Sequence, residues 1–388
     1  MAFYVRIVFM ESAVQNPKLI VAVLYGGRSG EHEVSLRSAG SVISHLDRNE
    51  FEILPIGIDR EGRWHLNSLD HCDASNLVIS TPGSQEVVFL SSWGSRRGKL
   101  KSISTDQPIV EVDIIFPVLH GPLYEDGALQ GAMELSGIPF VGCGVLASSV
   151  GMDKDFTKRI INGCPEVEPV PYLSIYRRHW DQDPGLFEEK VVRDLGLPVF
   201  VKPANLGSSV GIHLVKNKEN LRSSISDAFR FDDKILVEKG LSIREIELAV
   251  LEDSEDSADP IKVSLPGEIR PRDGFYSYEV KYLDESGAEL YAPADLPIEI
   301  VERSQRIARN VFELLECSGL ARVDLFYEES SGKIYFNEIN TMPGFTSISM
   351  YPRLWEVTKV DYKTLLHKLI LTALDRFKTR NSLVRQWS

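Results

Sequence analysis

Residues 19–30 read LIVAVLYGGRSG. Seven apolar residues in a row, 19–25, suit a strand buried on both faces of a parallel sheet. A glycine-rich turn follows at once, then a helical pattern over 33–46 and a second strand over 52–58, EILPIGI. This strand–loop–helix–strand order points to an open parallel sheet. Working outward, 113–119 (DIIFPVL) reads as a third parallel strand running into His120 and Gly121. A helix is expected over 125–135 and a short fourth strand over 139–142. Ligands bind beyond the carboxyl ends of strands in such sheets, so the loops 26–30 and 120–127 are the first places to look.

Residues 67–108 are polar, with short strands at 77–79 and 87–90, and suggest an irregular insertion. A second unit begins near Ser148, with a helix over 153–161, strands at 198–202 and 235–238, and a helix over 218–229. The acidic stretch 252–260 reads as an exposed hairpin tip. Beyond it come strands at 246–251, 262–265, 321–327 and 333–340, a helix over 299–316 and a final helix over 363–376. The expected division is an extension over 1–18, then domains over 19–147, 148–240 and 241–388. The fold class is α/β, α+β in part.

The chain has 388 residues, 43% hydrophobic and 26% charged, an ordinary globular balance. Its net charge of −13 disfavours broad binding to nucleic acid or an anionic membrane. The four cysteines, Cys72, Cys143, Cys164 and Cys317, form no C-x-x-C pair, so free thiols in a reducing cytoplasm are expected. The apolar run 3–10 contains Arg6 and is far shorter than the roughly 20 residues of a spanning helix.

The strongest chemical signal lies in ARVDLFYEESSGKIYFNEIN, residues 321–340. Arg322 and Asp324 are two apart and share a strand face, as do Glu338 and Asn340. A three-residue loop, Ser330-Ser331-Gly332, with Glu329 opposite Lys333, sets Asp324 against Glu338 and Arg322 against Asn340. Two carboxylates and an amide suit Mg²⁺ shared with substrate phosphates. The alternative is a solvated hairpin face with incidental ion pairs.

The second signal is KPANLGSSVG, residues 202–211, which follows a strand. Its backbone N–H groups can cradle phosphate oxygens, with Lys202 as a point charge. Otherwise it is a plain turn. The string at 94–100, GSRRGKL, is one residue short of a phosphate loop and lacks its Ser or Thr. The string Glu31-His32-Glu33 before a helix offers either charge complementing the helix dipole or a carboxylate aimed at a substrate ammonium. His120 is a polar contact or a capped loop residue. Glu238, Lys239 and Glu245 could hold a base and ribose.

In order, the strings GGRSGEHEVSLRSA (26–39), HGPLYEDGALQG (120–131), GMDKDFTKR (151–159), VKPANLGSSVGI (201–212), EVKYLDE (279–285), ARVDLF (321–326) and NEINTMPGFTSISMYP (337–352) resemble the D-alanine–D-alanine ligase family of ATP-grasp enzymes. The resemblance spans most of the chain. It implies a Rossmann-like first domain and a two-part ATP-grasp fold, with ATP held between two antiparallel sheets. It assigns Lys154 and Lys202 to the ATP phosphates, with the loop of Ser208 and Ser209 closing over them. Glu238, Lys239 and Glu245 would hold adenine and ribose. Asp324, Glu338 and Asn340 would ligate two Mg²⁺, with Mn²⁺ as the substitute.

By the same resemblance, Glu33 would hold the first D-alanine's ammonium, grouped with Ser208 and Tyr282. Lys281, Ser349 and Met350 would contact the second D-alanine. Met350 stands where the family usually has leucine, a volume-conserving change. Arg322 and the Gly344 N–H would stabilise a tetrahedral oxyanion. Residues 270–290 are a candidate lid. A cytoplasmic homodimer serving peptidoglycan precursor synthesis is implied. The rivals are a D-alanine–D-lactate ligase and a non-catalytic ATP-binding protein.

Overall fold

The computed structural model describes residues 17–69, 77, 79, 85–90, 98–271 and 288–384. Strands among these residues form three sheets. The first is built on Leu19–Gly26, which pairs in parallel with Phe51–Ile58 on one side and Ile114–Leu119 on the other. Its alternate residues enter two different cores: Val21, Val23 and Tyr25 face one, Ala22 and Leu24 the other. This two-sided burial accounts for an apolar run with no alternation. The strand expected at 139–142 is reduced to one parallel bridge, Ile115 to Phe140. The expected irregular insertion instead extends this sheet. Strands Trp64–Leu66, Gln85–Leu90, Gly98–Ser102 and Pro108–Val112 add in antiparallel order beyond Phe51–Ile58. Val87, Leu100 and Val112 join the core of Ala22 and Leu24.

The second sheet is antiparallel, in the order His213–Val215, Val199–Pro203, Lys234–Lys239, Tyr172–Tyr176. One face carries Val199, Val201, Ile235 and Val237, which pack on the helices Pro184–Asp194 and Leu221–Ala228. By strand alternation Phe200, Lys202 and Glu238 take the other face, where they line a cavity.

The third sheet runs Ala288–Tyr291, Gly267–Pro271, Arg244–Glu252, Leu320–Glu328, Lys333–Asn340, Glu168–Pro169. The helix Ile298–Leu314 covers one face with Ile307, Ala308, Val311 and Phe312. Two features cross the division drawn from sequence. Glu168–Pro169 joins this third sheet, and Ile161, Cys164 and Val167 lie in its core. The last helices, Met350–Val357 and Tyr362–Asn381, pack Tyr351, Leu354, Leu366 and Ile370 into the core of the N-terminal sheet. Arg376 fastens that docking by donating to the carbonyls of Phe140 and Gly142 and to Ser318. No helix among the described residues is long and apolar enough to cross a membrane.

Candidate active site

The hairpin Leu320–Asn340 sets the floor of the site, and it reaches the expected pairing by two compensating departures. Its first pair is Glu328 with Lys333, so the loop has four residues, 329–332, rather than three. Gly332 takes the left-handed conformation (φ 69°) that the turn requires. A bulge beyond the Leu325–Phe336 pair then shifts the register by one. The two offsets cancel, and Asp324 lies opposite Glu338 and Arg322 opposite Asn340.

Arg322 donates to both oxygens of Asp324 at 2.7 and 2.6 Å and stands 3.2 Å from Glu247. Burial acts to lower the pKa of this guanidinium, but Asp324, Glu247 and Glu338 outweigh it and hold the pKa well above the usual value. Lys154 Nζ lies 3.0 Å from Glu338 and 2.6 Å from the Leu206 carbonyl. Asn340 Oδ1 accepts from the Met342 N–H at 3.0 Å. Among the described residues no three His, Cys, Asp or Glu side chains form a metal cage. The donors that are present are hard oxygens: two carboxylates and an amide. Such a set fits Mg²⁺ that completes its shell from phosphate oxygens and water.

Two adjoining cavities meet over this floor. Lys154, Ser208, Glu247, Arg322 and Glu338 line both. The larger, about 640 Å³, lies between the central and C-terminal sheets and also takes in Lys202, Ser209, Glu238, Lys239, Glu245 and Asp324. Glu238 is buried between two lysines, 2.6 Å from Lys202 and 3.1 Å from Lys158. Burial pushes its carboxyl up, but Lys158 and Lys202 outweigh it and hold the pKa at about 2. The smaller cavity, about 490 Å³, is lined by Glu31, His120, Asn340, Gly344, Ser349 and Met350. Ser349 Oγ bonds Thr346 N–H at 3.0 Å, and a Cβ on Gly344 would come within 2.8 Å of that oxygen. Only glycine leaves the backbone accessible there. Burial acts to lower the His120 pKa, yet contact with Glu125 raises it above the usual value.

The loop 204–212 bridges the two cavities. Ser208 and Ser209 both adopt positive φ, 55° and 58°, a strained backbone of the kind found at functional sites. Ser208 Oγ donates to Glu31 Oε1. Glu31 precedes the helix His32–His45 without capping it, so its side chain is available to the cleft.

This geometry corrects the expectation for Glu33. Its side chain is 63% exposed, pairs with Arg60 at 2.6 Å and lines neither cavity. The carboxylate in the cleft is that of Glu31. Lys281, Tyr282, Cys72 and most of the candidate lid, 272–287, lie outside the described residues. Every other expected site residue lines one cavity or both. Sequence reasoning missed Glu247, which pairs in register with Asp324. The two-residue rule applied to Glu245 would have found it.

Comparison with known proteins gives the family. The family model described as "D-ala D-ala ligase N-terminus" matches residues 20–143, and "D-ala D-ala ligase C-terminus" matches 165–371. The chain belongs to the D-alanine–D-alanine ligase family. A relative from Bradyrhizobium diazoefficiens, D-alanine–D-alanine ligase A, is 49% identical over 96% of this chain and 99% of its own length. The D-alanine–D-alanine ligase of Caldicellulosiruptor bescii is 43% identical over 94% of this chain and 98% of its own length. Two solved structures superpose with a TM-score of 0.79. The Coxiella burnetii D-alanine–D-alanine ligase (34% identical) covers 95% of this chain and 97% of its own. The VanG D-Ala:D-Ser ligase of Enterococcus faecalis (33% identical) covers 92% and 100%. The three sheets are thus those of an ATP-grasp ligase of the α/β class read from the sequence, although the N-terminal sheet is mixed, three parallel strands extended by four antiparallel ones, rather than wholly parallel.

Proposed function

We propose that this protein joins two D-alanine molecules at the expense of ATP, through a D-alanyl phosphate, to give D-alanyl-D-alanine, ADP and phosphate. The observation that carries the reading is the pair of adjoining cavities that share Lys154, Arg322 and Glu338. One has the depth and charge for a nucleotide. The other has the size and mixed polarity for two small amino acids.

In this reading Lys154, Lys202, Ser208 and Ser209 hold the ATP phosphates, and Glu238, Lys239 and Glu245 hold the base and ribose. Asp324, Glu338 and Asn340 hold two Mg²⁺, which offset charge on the transferring phosphoryl group when bound. Glu31 takes the ammonium of the first D-alanine and turns its carboxylate toward the shared floor. That carboxylate attacks the γ-phosphorus, and ADP leaves. Ser349, Met350, His120 and Lys281 orient the second D-alanine, whose neutral amine attacks the acyl carbon. Arg322 and the Gly344 N–H stabilise the oxyanion that forms, and phosphate leaves. Tyr282 closes the group of Glu31 and Ser208, and 270–290 serve as a lid against water. A cytoplasmic homodimer supplying cell-wall precursor completes the reading. Exposed Leu135 and Leu146 on neighbouring helices support the pairing of chains.

The test is phosphate release with ATP and Mg²⁺, products identified by mass, with D-alanine alone and with D-alanine plus D-serine or D-lactate. Release matched one to one by D-alanyl-D-alanine is expected. Mixed products in preference to the dipeptide would move the acceptor toward that of the VanG relative or a depsipeptide. ATP binding without any product would return the non-catalytic reading.

A further inference from the structure

Lys158 has no role in the scheme above, yet none of its side chain is exposed. Its ammonium donates to the carbonyl oxygens of Phe336 at 3.3 Å and Asn337 at 3.1 Å and stands 3.1 Å from Glu238 Oε1 as an ion pair. Glu238 belongs to the central sheet, the two carbonyls to the C-terminal hairpin, and Lys158 itself to the helix Lys154–Ile161. One buried cation therefore joins three elements.

The place where it touches the hairpin matters more than the number of contacts. From Glu328–Lys333 to Leu325–Phe336 the strands keep one register. Continued, that register would set Asp324 against Asn337. Asp324 meets Glu338 instead, so Asn337 is the extra residue of the bulge. Side chains alternate along a strand, and a one-residue slip exchanges their faces. Without the bulge, Glu338 and Asn340 would turn away from Asp324. A bulge also interrupts the ladder and leaves backbone groups in need of partners. The carbonyls of Phe336 and Asn337 find one in Lys158, and Glu238 supplies its counter-charge. A compact ammonium on a flexible stem can bond two carbonyls and pair with a carboxylate in this way.

We propose that Lys158 is a positioning residue that fixes the hairpin bulge and so keeps Glu338 and Asn340 in line with Asp324 to receive the divalent cation. The proposal rests on the metal reading of those three residues. Its sign is distinctive. Removing a nearby cation would, by charge alone, tighten a metal site. Removing the residue that sets the ligands in register weakens it.

The experiment is a Mn²⁺ titration of the full chain with saturating ADP, free Mn²⁺ being read by electron paramagnetic resonance. Wild type, Glu338→Gln and Lys158→Met are compared, with no turnover involved. Mn²⁺ binding that Glu338→Gln abolishes and Lys158→Met weakens at least tenfold is the expected result. Unchanged or tighter binding in Lys158→Met overturns the proposal. Wild-type binding that ignores Glu338→Gln removes the metal reading, and the proposal with it. If Lys158→Met does not fold, Lys158→Met/Glu238→Gln is compared with Glu238→Gln, so that the loss of the Lys202 partner is common to both. A further tenfold loss sustains the role of Lys158, and affinities within twofold overturn it.

Discussion

The hairpin Leu320–Asn340 and the loop–helix segment 26–45 both supply carboxylates to one cleft, and both carry acidic or polar groups two positions apart. They use that spacing in opposite ways. On a strand, residues two apart share a face, so Asp324 acts with Arg322 and Glu338 with Asn340. At a helix start two residues subtend about 200°, so Glu31 and Glu33 cannot serve one site. Glu31 reaches Ser208 across the cleft, while Glu33 meets Arg60 in solvent. Spacing becomes a functional statement only once the local conformation is known.

The largest effect is expected on the hairpin. Glu338 lines both cavities and sits 3.0 Å from Lys154. Glu338→Gln keeps the shape and removes the charge. Turnover should fall on the order of 10³-fold, with the Mg²⁺ requirement raised, which corresponds to about 4 kcal/mol of barrier. Phosphate release against Mg²⁺ concentration measures it. A fall of less than tenfold would mean that the shared face of the hairpin is a structural ion-pair surface.

The other side of the comparison gives the next effect. Glu31→Gln replaces a charge-assisted contact, worth about 1.5–3 kcal/mol, so kcat/KM for D-alanine should drop roughly 10- to 150-fold. The KM for ATP should stay within about threefold, because Glu31 lines only the smaller cavity. Equal losses toward both substrates would show that Glu31 anchors the loop 204–212 rather than an amino acid.

A third measurement carries the comparison to the central sheet, where a carboxylate is buried between cations. Glu238 has a folded pKa of about 2 against an ordinary 4.5. Its folded value is the lower one, so its stabilisation is complete above about pH 4.5 and is lost as pH falls toward 2. Urea midpoints at pH 5, 4 and 3 should fall more steeply for wild type than for Glu238→Gln, by up to about 1.4 kcal/mol per pH unit. Parallel curves would place the acid sensitivity elsewhere.

These contrasts also explain what the sequence could reveal. Strand faces follow from a local two-residue period, so Asp324, Glu338 and Asn340 were legible even though the loop length was misjudged, because the bulge restored the register. Glu247 was legible by the same rule. The choice between Glu31 and Glu33 depends on Ser208, 177 residues further along the chain from Glu31, and no local period encodes that. Lys158 reads as one of several charges on a short amphipathic helix until three elements close around it. The docking of the last two helices on the first sheet is likewise a long-range outcome. So is the sheet extension through 64–112, whose short strands show little periodicity until they pair.

The smallest expected effect is the one that best isolates the contrast. Glu33→Gln alters a carboxylate two positions from Glu31, in the same string, and should leave catalysis alone. The ion pair it removes joins side chains 63% and 59% exposed, and exposed pairs contribute about 0–1 kcal/mol. Glu33 also lies in the first turn of the helix His32–His45, where an acidic charge adds about 0.3–1 kcal/mol through the helix dipole. Both contributions are screened by salt. The variant should therefore lose no more than about 2 kcal/mol of stability, less at 1 M salt. Its kcat/KM for D-alanine should stay within about twofold, a barrier change of about 0.4 kcal/mol. A tenfold loss would require the segment 26–33 to rotate when substrate binds, so that Glu33 replaces Glu31 beside Ser208. The double variant Glu31→Gln/Glu33→Gln separates the cases. Under the geometry described here it behaves as Glu31→Gln alone, and under rotation it is worse than either single change.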